Sequence, residues 1–370
     1  MNNNFLENYT KYFLVILSVL LICGLIMVYS ASYIYAKEKF GSSFHFFNKQ
    51  LVFIVLGCVL AFVISRTKFN FWYQQFYKIN AIAIFLLALT FTPFGLTIKG
   101  SQRWINLFGF NLQPGELVKY TVAMSAIYFF EKWQKNSPKQ RGIESLHFFI
   151  PLGFLALQPD FGTFSITLAL IFFVAFLSDL PRLYLIISGV IGAVCSGILM
   201  VAAPYRVARL MTFLNPWEDP QNRGFQIIQS FLAFANGHIW GQGIGNSNEK
   251  LFYLPEAYND FIFSVLGEEL GFIGVLFIVL LFLGLAYSGF KIALTIHNKL
   301  NQQVIVCIVF GITFQAALNM CVVLGLLPTK GLNLPFISYG GSSLVTNLLV
   351  VGFIFCASSS KSQLQERIEI

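Results

Sequence analysis

Apolar residues fill most of the chain in long runs separated by short polar stretches. A bilayer core takes about 20 predominantly apolar residues per helical crossing. On that measure the pattern predicts spanning helices near 12–32, 50–65, 77–96, 115–132, 146–158, 162–178, 183–203, 260–289, 303–327 and 343–358. The fold expected is therefore all-α, a polytopic integral membrane protein of about ten transmembrane helices forming a single unit over 1–370. The fifth run is short and carries Pro151, and the fourth contains Glu116 and Lys119. The first, from Tyr12 to Tyr29, follows a polar tail with Lys11 and precedes no small-residue cleavage site, so it is expected to stay as an anchor helix.

One polar interval breaks the rhythm. Residues 204–259, between the seventh and eighth helices, are rich in Pro, Trp, Asn, Gln and Gly. A connection of that length in a compact protein is usually functional. Within it, Phe225, Ile228 and Leu232 recur at helical spacing, which predicts a helix over 225–234 lying at the membrane interface. Gly241, Gly243 and Gly245 follow without a strand–helix context and read as a flexible turn.

Composition agrees with the pattern. Apolar residues make up 56% and charged residues 11%, and the mean hydropathy is +0.71, outside the range of an ordinary soluble domain. The formal charge is +8, but the basic residues are scattered through short loops and form no arm or stripe, so nucleic acid is not the expected partner. With the N-terminus inside, Lys11, Arg66, Lys68, Lys132, Lys135, Lys139, Arg141, Arg182, Lys291, Lys299, Lys361 and Arg367 fall on the cytoplasmic side. Lys37, Lys39, Lys49, Lys99, Arg103 and Lys330 fall in short outer loops, a modest positive-inside bias that puts both termini in the cytoplasm and 204–259 outside. The cysteines all lie in apolar runs without CxxC spacing and read as small buried side chains. Nucleotide-hydrolysis and zinc-protease motifs are absent from the sequence.

Carboxylates at membrane depth need a reason, because an unpaired charge there is expensive. Glu116, Asp160, Asp260, Glu268 and Glu269 lie in or at the mouths of helices. Asp260 opens the eighth helix directly after the long outer loop, where it serves either as an N-cap or as a group that meets a headgroup or sugar. Glu268 and Glu269 would sit roughly 12 Å deeper at 1.5 Å per residue, which points to helix packing. Glu116 and Lys119 stand at i, i+3 and read as a structural pair. Asp160, at a turn before a helix, is either a cap or a substrate contact.

Several of these positions belong to longer motifs. Arg103-Trp104-Ile105, Gln113-Pro114-Gly115-Glu116, Gln158-Pro159-Asp160, Pro204-Tyr205-Arg206 and Asn215-Pro216-Trp217-Glu218-Asp219-Pro220 occur in that order. They are followed by Gly241-Gln242-Gly243-Ile244-Gly245-Asn246-Ser247, Tyr253-Leu254-Pro255-Glu256-Ala257, Asp260-Phe261-Ile262-Phe263 and Gly267-Glu268-Glu269-Leu270-Gly271. Leu327-Pro328-Thr329-Lys330-Gly331 and Ser338-Tyr339-Gly340-Gly341-Ser342-Ser343 complete the set. Over nearly the whole chain this resembles the SEDS family (shape, elongation, division and sporulation), and its cell-division branch more than its elongation branch. Gly115 stands where the family usually has Ser, and Tyr258-Asn259 replaces the more familiar His-Thr.

The resemblance implies a peptidoglycan glycosyltransferase that polymerises lipid II at the outer face of a bacterial inner membrane, at the division septum. It implies Asp260 as the catalytic aspartate, a single-span class B penicillin-binding transpeptidase and other divisome membrane proteins as partners, and a divalent cation, Mg or Mn, as an open question. The chemistry is compatible with one carboxylate. An attacking hydroxyl needs a base, whereas a pyrophosphate leaving group needs cations more than a proton. Arg206, Arg209, Lys250 and Lys330 are the candidate pyrophosphate or lipid contacts, and the motif residues Arg103, Asp160, Glu256, Ser338 and Ser342 complete the expected substrate contacts. Two other readings stay open: a flippase for the same lipid, since helices with buried acids also describe carriers, and a non-catalytic scaffold of a division complex.

Overall fold

In a computed structural model the described residues are 3–98, 101–107, 109–158, 160–201, 204–222, 224–247, 257–329 and 331–359. They form a helical bundle of α1 (Asn3–Phe40), α2 (His45–Ser65), α3 (Phe69–Leu89), α4 (Pro114–Glu131), α5 (Pro138–Leu157) and α6 (Phe161–Leu177), followed by α7 (Arg182–Val201), α8 (Pro204–Leu214), α9 (Phe225–Gly237), α10 (Ile262–Leu294), α11 (Lys299–Val323) and α12 (Gly341–Ser358). Ten of these correspond to the expected runs, and α8 and α9 lie inside the 204–259 interval. Five helices, α1, α2, α10, α11 and α12, are long and apolar enough on their own to cross a membrane, and α6 and the first part of α7 are apolar but shorter.

Two boundaries moved for local reasons. α5 begins at Pro138 rather than 146, because Ser137 accepts from the Gln140 N–H while the Gln140 side chain reaches back to the Ser137 N–H. That reciprocal cap starts a helix in polar sequence, ahead of the apolar run. α3 spans Phe69–Leu89 where 77–96 was expected. Its last expected turn belongs instead to an antiparallel sheet, β1 (Gly95–Ile98), β2 (Ser101–Leu107) and β3 (Phe110–Leu112), in the order β1-β2-β3. The sheet pairs Gly95 with Ile105 and Ile105 with Leu112, and it adds a small β element to the helical fold.

α4 is the bundle's inner helix, buried along almost its whole length and packed against α3, α5, α6, α11 and α12. It carries the Glu116–Lys119 pair, 2.5 Å apart, and Lys119 Nζ also donates to Gln315 Oε1 on α11 at 2.6 Å. The pairing expected from the i, i+3 spacing is therefore present and buried.

α9 packs on α10, and its buried face is Ile227, Ile228, Ser230 and Ala233 rather than Phe225, Ile228 and Leu232. Leu232 is 43% exposed. Ser230, invisible to a purely apolar pattern, donates its hydroxyl to the Val323 carbonyl at 2.7 Å and turns that face inward.

α10 is two helices joined at Gly271, whose φ of 66° and ψ of −166° lie in a region essentially reserved for glycine. The segment after α9 is threaded into the break. Gln242 N donates to the Glu268 carbonyl at 2.9 Å and Gly243 N to the Glu269 carbonyl at 3.0 Å, while Phe272 N donates to His238 O at 2.9 Å and Ile273 N to Ile239 O at 3.3 Å. The glycine-rich run expected as a flexible turn thus supplies backbone partners to an interrupted helix. Glu268 and Glu269 end the first half-helix, fully buried, with the Ser247 hydroxyl on Glu268 and the Ser30 hydroxyl 2.6 Å from Glu269 Oε1. Their packing role agrees with the depth argument from sequence.

Candidate active site

At one end of the bundle the start of α2, β2, β3, α8, the turn before α10 and the 331–341 segment enclose a cavity of about 780 Å³. Asp260 lines it, half-buried. The N-cap of α10 is Phe261, with no side-chain cap bond, so Asp260 stands one residue before the cap position. The capping alternative left open by the sequence is not the arrangement adopted.

The surroundings of Asp260 are built from backbone. Asn319 on α11 donates from Nδ2 to the Asp260 carbonyl at 2.9 Å and to the Leu332 carbonyl at 2.5 Å. Tyr339 N donates to Tyr258 O at 2.9 Å, joining the far end of the 331–340 segment to the turn that carries the carboxylate. Gly331 lies against the acid. It has a φ of +62°, and a β-carbon placed there would stand 3.3 Å from Asp260 Oδ2. A glycine at this point meets both the left-handed backbone and the close approach.

Among the described residues Asp260 is the one acid on the cavity lining, and it shares that lining with cations. Lys49, Arg103 and Arg209 line the same cavity. Arg103 is held from behind: its Nε donates to the Gln158 carbonyl at 3.2 Å and its Nη1 lies 3.8 Å from Asp160 Oδ1. Arg209 Nη1 donates to Thr329 O at 3.4 Å. The aromatic walls are Phe46, Phe53, Trp104, Phe110, Tyr258 and Tyr339, with the Phe46 ring centroid 4.6 Å from Tyr258 and 4.9 Å from Tyr339. Burial pushes the Tyr339 phenol above its ordinary value, so it presents a neutral hydroxyl at working pH. Among the described residues three cations and one carboxylate, set between aromatic faces, form a site for an anion attached to a partly apolar or sugar-like body.

The structure sorts the expected site residues. Asp260, Arg103 and Arg209 converge on the cavity. Asp160 does not line it. It is 2% exposed and caps α6 through Thr163 N at 3.2 Å, with Thr163 Oγ1 and Gln113 Nε2 as further donors, so the substrate-contact reading gives way to a cap that backs Arg103. Ser338 accepts from Leu334 N at 2.8 Å within its own segment. Ser342 accepts from Gln113 N at 3.0 Å and donates to Asn111 O at 2.9 Å, tying β3 and the start of α4 to α12. Both serines shape the wall from inside. Lys250, Glu256 and Lys330 lie outside the described residues, as does the side chain of Arg206.

Sequence reasoning missed Lys49, Asn259, Asn333 and the aromatic lining. Lys49 had a signal, a basic residue just before the second apolar run. Asn259 and Tyr258 precede Asp260 directly in the chain, whereas Asn333 and Tyr339 reach the cavity only through the return of the 331–341 segment, and Phe46, Phe53, Trp104 and Phe110 come from α2 and the sheet.

A resident divalent cation would need several oxygen ligands. Among the described residues no cluster of three or more His, Cys, Asp or Glu side chains exists, and the cavity lining holds one carboxylate beside three cations. Those residues do not make a protein cage for Mg²⁺ or Mn²⁺.

The fold and the cavity together define a multi-pass membrane protein with a cation-rich site that includes a carboxylate at one end of its bundle. The family model for FtsW, RodA and SpoVE, described as a cell cycle protein, matches residues 10–363, and the chain belongs to that family. It is 41% identical to the "Probable peptidoglycan glycosyltransferase FtsW" of Geobacter metallireducens over 378 residues, 97% of this chain and 98% of that protein. It is 40% identical to "Stage V sporulation protein E" of Bacillus subtilis over 350 residues, 93% of this chain and 96% of that protein. Among solved structures it superposes on a chain of a peptidoglycan synthase complex that coordinates polymerization and crosslinking. The TM-score is 0.74 at 27% identity, over 94% of this chain and 96% of that one.

Proposed function

We propose that this chain is a peptidoglycan glycosyltransferase that polymerises lipid II into glycan strands at the outer face of the cytoplasmic membrane during cell division, with Asp260 as general base. The observation that carries the reading is the meeting of Asp260, Lys49, Arg103 and Arg209 in one cavity. In the reaction a sugar hydroxyl of one lipid-linked chain attacks the anomeric carbon of another. The new glycosidic C–O bond forms as the bond to the pyrophosphate oxygen breaks, and Asp260 takes the hydroxyl proton. Undecaprenyl pyrophosphate leaves carrying its negative charge, which the Arg103, Arg209 and Lys49 cations offset without a second acid. The aromatic walls hold the saccharide and exclude water, which would otherwise compete as the nucleophile. Mg²⁺ often reaches a site on substrate phosphates with few protein ligands.

The membrane arrangement that goes with this reading is ten spans, both termini in the cytoplasm and the cavity end of the bundle outside. The partners are a single-span class B transpeptidase, which would crosslink the strands made here, and further division proteins at the septum. The relative in a synthase complex supports a transpeptidase partner, and the 41% identity to an FtsW protein supports the division role.

The test is purification of the wild type and Asp260→Asn with the cognate transpeptidase, incubation with lipid II in detergent, and separation of glycan products by length. Polymer from the wild type and none from a folded Asp260→Asn is the expected result. A micelle has no second compartment, so a pure flippase or scaffold yields no polymer from either, and full activity in the variant removes the base.

A further inference from the structure

We infer that Asn319 is the positioning residue for the Asp260 base. Asn319 is a buried side chain on α11, 1% exposed, and its Nδ2 donates to two backbone carbonyls at once, Asp260 O at 2.9 Å and Leu332 O at 2.5 Å. Two carbonyl acceptors on one side of the carboxamide fix which end is the NH₂ group, because a carboxamide oxygen there could donate to neither. The other end, Oδ1, is buried and has no hydrogen-bond partner among the described residues. A buried, unsatisfied acceptor costs free energy, and an apolar side chain of the same shape would remove that cost. Asn319 therefore occupies this position for its two N–H bonds, and what those bonds join is specific.

One bond holds the peptide that carries the base. The other holds Leu332, the residue after Gly331, whose backbone stands against the Asp260 carboxylate. One turn earlier on α11, Gln315 Nε2 donates to Asn333 O at 2.9 Å, so two carboxamides of a single helix grip consecutive carbonyls of the segment behind the acid. The Asn319 amide sets the separation between the base and its backing segment with a single nitrogen. Without it the turn before α10 and the 331–334 segment are free to drift apart at that point. A displacement of about 1 Å at a reacting group costs on the order of 100-fold in rate.

The inference rests on Asp260 being the base. The experiment uses the full chain with its transpeptidase, and measures kcat and KM for lipid II together with the thermal midpoint in detergent, for wild type, Asn319→Leu and Asn301→Leu. Asn301 is the control: it lies on the same helix, is equally buried, and donates its carboxamide to the Ala357 carbonyl at 3.0 Å, far from the cavity. Asn319→Leu is expected to lose about 10- to 100-fold in kcat with KM within about threefold of wild type. Asn301→Leu is expected to lower the thermal midpoint while keeping wild-type kcat. A folded Asn319→Leu with wild-type kcat, or equal kcat losses in the two variants, overturns the inference. Should Asn319→Leu not fold, Asn319→Ser, whose one hydroxyl proton serves a single carbonyl, is expected to lose about tenfold in kcat, and wild-type kcat in it is equally fatal. An active Asp260→Asn refutes the base itself, whereas an inactive Asp260→Asn beside a fully active Asn319→Leu refutes only the positioning.

Discussion

Replacing Gly271 by alanine attacks the joint on which the two halves of α10 turn. The added β-carbon would stand 2.4 Å from Gly241 N and 2.5 Å from Ile239 O, both backbone atoms of the inserted segment, so no side-chain rotation relieves the contact. The φ of 66° with ψ of −166° adds about 1–3 kcal/mol for any residue with a β-carbon. Pushing the segments apart weakens the bonds from Gln242, Gly243, Phe272 and Ile273, each worth about 0.5–1.5 kcal/mol net. With roughly half of that bonding lost, the destabilisation comes to about 2–6 kcal/mol, a large share of a typical folding free energy. The assay is thermal unfolding in detergent, read by loss of the monodisperse peak on size exclusion, with Gly153→Ala as comparator. Gly153 is in the middle of α5 with nothing within 4 Å of its would-be β-carbon, so alanine there should stabilise by about 0.5–1 kcal/mol. Opposite shifts in midpoint are expected. A Gly271→Ala midpoint at or above wild type would refute the strained-joint account.

Two further outcomes follow from the buried and cationic groups. Lys119→Met leaves Glu116 as a buried carboxylate without its cation and should destabilise by about 3–5 kcal/mol, while Lys119→Met combined with Glu116→Gln should recover much of that loss, as measured by the same thermal assay. Arg103→Gln removes a cation from the cavity lining while keeping an N–H for the Gln158 carbonyl, so kcat for lipid II should fall at least about tenfold, and an unchanged kcat would show that Arg103 does not offset the charge of the departing pyrophosphate.

Much of the helical framework could be read in the chain because lipid imposes one dominant rule, long apolar runs with their backbone satisfied internally. The runs around α2, α6, α11 and α12 obey it and were placed to within a few residues. Errors gathered where polar chemistry overrides hydropathy. The Ser137–Gln140 cap and the sheet over 95–112 are local signals that a span-length window averages away. Asp260 was legible as an acid at a costly depth within a recognisable motif. Asp160 could be seen too, but whether it capped a helix or met substrate depended on the positions of Thr163 and Gln113.

Sequence alone thus determined the solvent of the chain, its helical class, the buried Glu116–Lys119 pair and the acid at the mouth of α10, since each follows from residue type and local spacing. Only the tertiary structure decided that Lys49, Arg103 and Arg209 line one cavity with that acid, that glycines of one loop complete a broken helix, and that Asn319 holds Asp260 to a segment far along the chain. Those are contacts between parts distant in sequence, formed by the return of loops onto helices, and no local periodicity records which carbonyl a buried amide will meet.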